Sequence, residues 1–361
     1  MNADRLFLEA AVELAEKGRF TCSPNPPVGC LILKNGEVIG RGFHERSGEA
    51  HAEISALDSV LGGKENLSDA TVYVSLEPCA FEGKTPACAK TLSQFPIKRV
   101  VVGAIDPHPD VAGAGVKILR ESGIQVDVFE LESARRCIEG FRARVSLGRP
   151  LVRLKTASSL DGATSLSNGR SRWITSEEPR HDVQYWRARS DAIITGVGTV
   201  LADDPKLTVR AQEYSLAGKP IRLIFDSQMR TPLESKIVDG SVETILAYSA
   251  SFDPDPDLLA WKSVQCTAFE GDRPNISEVM SFLGGLGCNE VLVESGPKLM
   301  GAFLEEGVWD EWLLYIAPKI LGHDANTLAN IKITDIAHSG IGRIAEAIPF
   351  GSDLRVRILP N

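Results

Sequence analysis

The segment His51-Ala52-Glu53, answered by Glu77-Pro78-Cys79 and then by Cys88, is what the first half of the chain has to be built around. One histidine and two cysteines supply three ligands, the number a catalytic zinc uses when its fourth position is kept for water. A purely structural zinc site would want a fourth protein ligand. Cys22 and Cys30 lie nearby in sequence and keep that alternative open. Glu53 stands two residues beyond the histidine, a place that suits a proton carrier better than a ligand.

Zinc lowers the pKa of bound water toward neutrality, and the hydroxide so formed can attack an amidine-like ring carbon. A carboxylate beside it then carries the proton to the departing amine. This set resembles that of zinc nucleobase deaminases, which use a His-x-Glu segment followed by Pro-Cys-x-x-Cys. Here the cysteines stand nine residues apart, so the stretch from Phe81 to Ala87 loops out before Cys88 returns. Pro86 suits a first helical turn. A thiolate at a helix N-terminus is favoured by free N–H groups and by the dipole, which makes Cys88 well placed. Taken singly, His51, Cys79 and Cys88 read equally well as core residues, since free cysteine is often buried and inert. The four residues together do not.

A length of 361 residues suggests two domains or three, at about 150 residues each. With 43% hydrophobic and 24% charged residues the composition is that of an ordinary globular protein. No apolar run approaches the roughly 20 residues that span a bilayer. Asp4, Arg5, Glu9 and Glu13 give the N-terminus an amphipathic pattern unlike a signal peptide, so the expected location is the cytoplasm, away from membranes. Seven cysteines, an odd number, favour metal binding over a disulfide framework. A net charge of −9 argues against nucleic acid as a partner and for a small-molecule substrate.

Residues 3–18 carry Leu6, Ala10, Leu14 and Ala15 at helical spacing, closed by Gly18. A turn-rich loop, Asn25-Pro26-Pro27-Val28-Gly29, leads to two strands around Lys34-Asn35-Gly36, a strong hairpin signal. A helix is expected from Ala52 to Leu61, with Glu53 in its first turn. Strands at 72–74, 99–103 and 124–129 then alternate with helices at 88–94 and 115–122, the pattern of a layered α/β sheet. A helix from Leu131 to Arg144 closes the domain. The boundary is placed at Gly148-Arg149-Pro150, giving domains 1–147 and 148–361.

The second half repeats the α/β pattern without a Cys–His cluster. Its chemistry lies in Ser171-Arg172-Trp173-Ile174-Thr175, in the Gly196-Val197-Gly198-Thr199 turn leading to Asp203 and Arg210, and in Val291-Leu292-Val293-Glu294-Ser295-Gly296-Pro297. The last is a strand that stops at a Gly-Pro turn and becomes a helix, a terminus that offers N–H groups to phosphate. Glycine also serves such turns merely for its backbone freedom. Arg180 and Arg189 read as solvated charges on a helical face.

With both halves read, the chain resembles the family of bifunctional riboflavin-biosynthesis enzymes that join a pyrimidine deaminase to a pyrimidine reductase. The similarity covers nearly the full length. It rests on Asn25-Pro26-Pro27-Val28-Gly29, His51-Ala52-Glu53, Pro78-Cys79 and Gly83 to Cys88 in the first half. In the second it rests on Ser159-Leu160-Asp161-Gly162, Trp173-Ile174-Thr175, Ala202-Asp203-Asp204-Pro205, Leu207-Thr208-Val209-Arg210 and Glu294-Ser295-Gly296-Pro297.

The resemblance implies an α/β chain with a three-layer, cytidine-deaminase-like domain followed by a dihydrofolate-reductase-like domain. It implies zinc-dependent deamination of 2,5-diamino-6-ribosylamino-4(3H)-pyrimidinone 5′-phosphate, then NADPH-dependent reduction of the ribosyl to a ribityl chain. The product would be 5-amino-6-ribitylamino-uracil 5′-phosphate. By family position, one zinc falls to His51, Cys79 and Cys88, with Glu53 catalytic. Asn25, His44, Lys84 and Asp106 fall to the deaminase substrate. Ser171, Arg187, Leu207, Arg210 and Glu294 fall to the reductase substrate, with Arg187 and Arg210 as a phosphate clamp. Ala157, Trp173, Thr199, Asp203, Ser227 and the run Gly296, Pro297, Lys298, Leu299, Met300, Gly301, Ala302 fall to NADPH. A homodimer through the reductase domain is also implied.

The chain departs from the family pattern at Phe81, Lys84 and Ala87, usually His, Arg and Pro, and at His108, usually Asn. These changes touch the deaminase substrate contacts, not the metal set. Two rival readings are a nucleoside or nucleic-acid deaminase with an unrelated nucleotide-binding domain, and a zinc-stabilised nucleotide-binding module. The acidic balance and the Cys79–Cys88 spacing oppose the first, and Glu53 opposes the second.

Overall fold

The computed structural model describes residues 3–81, 86–109, 111–254, 256, 260–261 and 264–361. It divides into two compact units, residues 1–148 and 149–361. No described helix is long and apolar enough to cross a membrane.

The first unit is a five-stranded sheet, β1 (Gly29–Lys34), β2 (Glu37–Phe43), β3 (Thr71–Val74), β4 (Arg99–Val102) and β5 (Gln125–Val128), in the order β2-β1-β3-β4-β5. β1 and β2 form the expected hairpin, and Asn35 and Gly36 take the positive φ values (52° and 84°) that its two-residue turn requires. β1 is antiparallel to β3, whereas β3, β4 and β5 run parallel.

Alternation along the strands makes three layers. Leu31, Leu33, Tyr73 and Val101 pack on α1 (Ala3–Glu16) and on Ala134, Cys137 and Ile138. Cys30, Ile32, Val72, Val74, Val100 and Val102 pack on α2 (Ala52–Asp58), α3 (Cys88–Leu92) and α4 (Ala114–Glu121). The single helix expected over Leu131–Arg144 is two, α5 (Glu132–Cys137) and α6 (Glu139–Leu147). Ile138, at φ −108° and ψ 16°, leaves the helical range between them.

The second unit is a nine-stranded sheet in the order β11-β10-β9-β8-β12-β6-β13-β16-β15. β6 (Leu151–Ser159), β8 (Ala192–Gly196), β9 (Ile221–Phe225), β10 (Thr244–Ser249), β11 (Gln265–Phe269), β12 (Glu290–Glu294) and β13 (Glu311–Ala317) are parallel. The hairpin β15 (Gly342–Phe350) and β16 (Asp353–Pro360) adds antiparallel at β13. A two-stranded ribbon joins β7 (Ala163–Ser165) to β14 (Asn326–Thr327).

Parallel strands covered on both faces read as continuous apolar runs. One face carries α9 (Ile276–Gly285) and α10 (Pro297–Glu305), the other α7 (Glu177–Arg189) and α8 (Val197–Asp203). The strand expected at Val152–Lys155 is longer than its apolar core, because β6 lies at the centre of the sheet.

Candidate active sites

His51 is the N-cap of α2, in extended conformation, and Glu53 falls in the first helical turn at 3% exposure. The helix approaches this closely because β2 presents glycines, Gly40 and Gly42, beneath its backbone. A Cβ on Gly42 would lie 2.3 Å from the Ala56 nitrogen, and one on Gly40 2.7 Å from the Ala56 oxygen. Cys79 follows the C-terminal end of β3, and Cys88 opens α3 after the N-cap Ala87. Pro86 therefore lies ahead of the cap, not in the first turn.

His51 Nδ1 is 3.6 Å from Cys79 Sγ and 3.3 Å from Cys88 Sγ, and the three donor atoms all lie within 4.8 Å of one another. Tetrahedral bonds of about 2.1 Å to nitrogen and 2.3 Å to sulfur place N and S roughly 3.6 Å apart, so the set fits zinc. The Cys88 N–H donates to Cys79 Sγ at 3.3 Å. The N–H at the helix start thus serves the other sulfur, not its own.

The pairing favours a thiolate at Cys79 and keeps a proton on Cys88. The contact with Cys88 holds Cys79 down at about 4, and the same contact pushes Cys88 far up. A divalent cation replaces such a proton and binds both sulfurs as thiolates. Burial and the Cys79 charge push Glu53 up to about 7.

His44 is buried, 5.2 Å from His51 ring to ring. Its Nδ1 lies 3.0 Å from the Ala50 oxygen and its Nε2 3.0 Å from Asn25 Nδ2. A carbonyl only accepts, so Nδ1 carries the proton and Nε2 accepts from the Asn25 amide. Asp106 is buried, and its Oδ1 accepts the His108 N–H at 2.8 Å, a contact independent of the His108 side chain. Phe81 is exposed and Ala87 buried. Lys84 lies outside the described residues.

In the second unit Arg187 donates from Nε and Nη2 to Glu294, at 2.5 and 3.1 Å, and from Nη1 to the Thr208 oxygen at 3.0 Å. The edge of the guanidinium proposed for phosphate is thus taken by a carboxylate. Lys155 Nζ, 3.4 Å from Glu294 Oε2, is a site residue that sequence reasoning missed. Its signal was a second cation, after Arg153, within the strand Val152-Arg153-Leu154-Lys155. Burial works to raise the Glu294 pKa, but Arg187 and Lys155 overcome it and hold the carboxyl at about 2.

The Arg210 side chain is exposed, close enough to Arg187 to feel its charge, while its backbone N–H donates to Gln184 Oε1 at 2.8 Å. Leu207 is buried in the core at φ +44°, so its side chain is not open to a ligand. Such a conformation costs a bulky residue roughly 1–2 kcal/mol. Ser171 is half-buried on the segment that leads into α7. Arg189, read as a solvated charge, is instead 9% exposed and paired with Glu290 at 2.6 Å. Arg153 joins the same carboxylate from inside the sheet at 2.9 Å. Arg180 is not simply solvated either, since it stacks on Trp173 at 4.3 Å.

The turns after β8 and β12 stand side by side. The Gly296 N–H donates to Thr199 Oγ1 at 3.0 Å, and a Cβ on Gly196 would meet Leu299 at 3.5 Å. A Cβ on Gly198 would meet nothing within 4 Å. Gly196 and Gly198 at the start of α8 and Gly296 at the start of α10 bring helix N-termini with little side-chain cover to two adjacent parallel strand ends, which fits a dinucleotide phosphate. Gly296, Pro297, Lys298 and Leu299 keep surface, as do Ala157, Asp203, Ser227 and the exposed Trp173. Met300 is buried in the core, and Gly301 backs onto the Asn330 oxygen, where a Cβ would be 2.4 Å away. Those two side-chain positions are closed to a cofactor, while Ala302 is half-buried.

Fold and sites together define a zinc-binding deaminase unit joined to an α/β reductase unit. The pattern of the cytidine and deoxycytidylate deaminase zinc-binding region matches residues 1–104, and that of the RibD C-terminal domain matches residues 150–332. The riboflavin biosynthesis protein RibD of Escherichia coli (strain K12) is 40% identical over 361 residues, covering 96% of this chain and 94% of its own. That of Haemophilus influenzae is 37% identical, covering 100% and 98%. Among solved structures, Acinetobacter baumannii RibD superposes with a TM-score of 0.91 at 38% identity, over 99% of each chain. The diaminohydroxyphosphoribosylaminopyrimidine deaminase/5-amino-6-(5-phosphoribosylamino)uracil reductase of Thermotoga maritima does so with 0.89 at 32%, again over 99% of each. The chain belongs to the RibD family of riboflavin biosynthesis proteins.

Proposed function

We infer that the chain catalyses two consecutive steps of riboflavin biosynthesis, and the convergence of His51, Cys79 and Cys88 beside the buried Glu53 carries the reading. The first unit removes the ring amine of 2,5-diamino-6-ribosylamino-4(3H)-pyrimidinone 5′-phosphate by hydrolysis. The second reduces the ribosyl group to ribityl.

His51, Cys79 and Cys88 hold zinc, which when bound supplies a water acidified toward neutral pH. Glu53 takes up a proton at its carboxylate and returns it to the amine nitrogen that leaves as ammonia. Asn25, held by His44, and Asp106, held by the His108 N–H, bind and orient the pyrimidine. Lys84 completes this set by family position.

NADPH supplies the hydride of the second step. Gly296 and its turn, with Thr199, Ala157, Trp173, Asp203 and Ser227, bind the dinucleotide. Glu294, Ser171 and the Leu207 backbone orient the substrate, and Arg210 with the outer N–H groups of Arg187 binds its phosphate. Two copies pair through the reductase unit, a reading supported by the edge strand β15, which leaves Ile344 68% exposed. A substrate and cofactor that carry phosphate charges support the cytoplasm as the place of reaction.

The test follows ammonia release from the diaminopyrimidine substrate together with NADPH oxidation. Ammonia without NADPH consumption, or the reverse, would remove one of the two activities.

A further inference from the structure

Glu77 lies two residues before Cys79 and takes no part in the chemistry assigned above. Its side chain is 3% exposed, and it gathers backbone N–H groups from one stretch of chain on the far side of β4 in sequence. Oε2 accepts the Asp106 N–H at 3.2 Å and the Gly113 N–H at 2.9 Å, and Oε1 accepts the Val116 N–H at 3.0 Å. A carboxylate is buried at high cost unless its lone pairs are met in this way, and such charge-assisted bonds are strong.

A second observation fixes the same junction. A Cβ on Gly115 would stand 1.9 Å from the Pro78 oxygen and 3.2 Å from Glu77 Oε1. The first turn of α4 is therefore seated directly on the Glu77-Pro78 backbone, with no room for a side chain between. The Glu77 N–H itself donates to the Ala104 oxygen at 2.9 Å, which closes the loop from the other end. Ala104, Asp106, Gly113 and Val116 are thus tied to the two residues that precede the metal ligand Cys79.

We propose that Glu77 is a positioning residue for the deamination: its buried carboxylate sets the distance between the Asp106 turn and the Cys79 end of the metal site. The proposal rests on the reading of Asp106 as a contact for the pyrimidine. Asp106 takes its backbone position from Glu77 and its side-chain direction from the His108 N–H. A ring lying against Asp106 is then placed relative to the zinc ligands through a path of two residues, Glu77 and Pro78.

The test uses the full chain. Glu77→Gln keeps the shape but turns an amide N–H toward one of the backbone N–H groups, so at least one bond becomes a donor–donor contact. The KM for deamination is expected to rise about ten- to a hundredfold, with a smaller change in kcat, full zinc content and unchanged NADPH oxidation. Amide exchange at Gly113 and Val116 is expected to quicken while β3 stays protected. Gly115→Ala, which pushes α4 off Pro78 with Glu77 intact, is expected to raise the same KM.

The decisive comparison is a double-mutant cycle with Asp106→Ala. If Glu77 acts through Asp106, Glu77→Gln adds nothing in the Asp106→Ala background. If Asp106→Ala alone leaves KM unchanged, the reading of Asp106 fails and the proposal with it. If Asp106→Ala is impaired but Glu77→Gln is silent or fully additive, only the proposal falls. Loss of zinc or of fold in Glu77→Gln also overturns it, since the carboxylate then supports the ligands instead of the loop.

Discussion

Arg187 and Glu294 meet edge to edge, with Nε and Nη2 of the guanidinium 2.5 and 3.1 Å from the two carboxylate oxygens. Lys155 approaches the same carboxylate, and Arg210 stands within the field of both partners. Three cations against one carboxylate leave two positive charges, which matches a phosphate monoester of about −1.5 to −2.

Glu294 ties the stability of the reductase unit to acid pH. Its ordinary pKa near 4.5 is lowered to about 2 in the fold. Below the ordinary value the unfolded chain gains a proton that the folded one refuses, so stability is lost as pH falls from that value toward 2. Glu294→Gln should remove this part of the acid sensitivity, while lowering stability at neutral pH because the buried Arg187 and the half-buried Lys155 lose their charged partner. Thermal unfolding of both proteins between pH 2 and neutrality checks it. Parallel pH profiles would refute it.

Cys79→Ser and Cys88→Ser should each lose most of the zinc that the parent binds at one per protomer, since two ligands no longer hold the ion. Metal analysis decides the matter, and full retention in both variants would exclude these cysteines as ligands.

Glu53→Gln should slow ammonia release by about 10²–10⁴-fold, the usual contribution of a general acid/base. Zinc content and NADPH oxidation should stay at parent values, because no ligand is removed. Near-normal deamination would take Glu53 out of the mechanism.

Arg210→Ala should raise the KM for the phosphorylated substrate roughly ten- to a hundredfold, as expected for loss of a charge-assisted contact, with little change in that for NADPH. Arg210→Lys should recover only part, because a point charge lacks the guanidinium fork. Small, equal changes in both KM values would show an arginine that only packs its stem.

A fragment beginning at Arg149 should still oxidise NADPH. Arg149 belongs with the second unit, where Nη1 and Nη2 reach Asp310 at 2.6 and 3.0 Å. A fragment beginning at Leu151 loses that partly exposed pair, worth about 1 kcal/mol or less. A folded but inactive Arg149 fragment would mean that the reductase needs the first unit.

What was legible in the sequence was local. The Asn35-Gly36 turn and the start of α2 at His51 follow from residues close together in the chain, and the metal set, though spread over 37 residues, was carried by the short motifs around His51, Cys79 and Cys88. What was hidden depends on distant partners. Nothing near Arg189 signals that Glu290, 101 residues on, draws it out of solvent. Leu207 matched a family substrate position, yet its side chain is spent on the core. Ile138 breaks a helix that periodicity alone runs straight through.

β6, at the start of the second unit, lies in the middle of its sheet between β12 and β13. Arg153 on that strand waits for Glu290, 137 residues later, and for Glu311, 158 residues later. The first unit needs no such delay, since β3, β4 and β5 pair with near neighbours in the chain. On the ribosome the deaminase can therefore be complete and able to bind metal while the reductase sheet still lacks its centre. A truncated message that stops short of β12 is expected to leave a folded first unit attached to a second one whose sheet lacks its central strands.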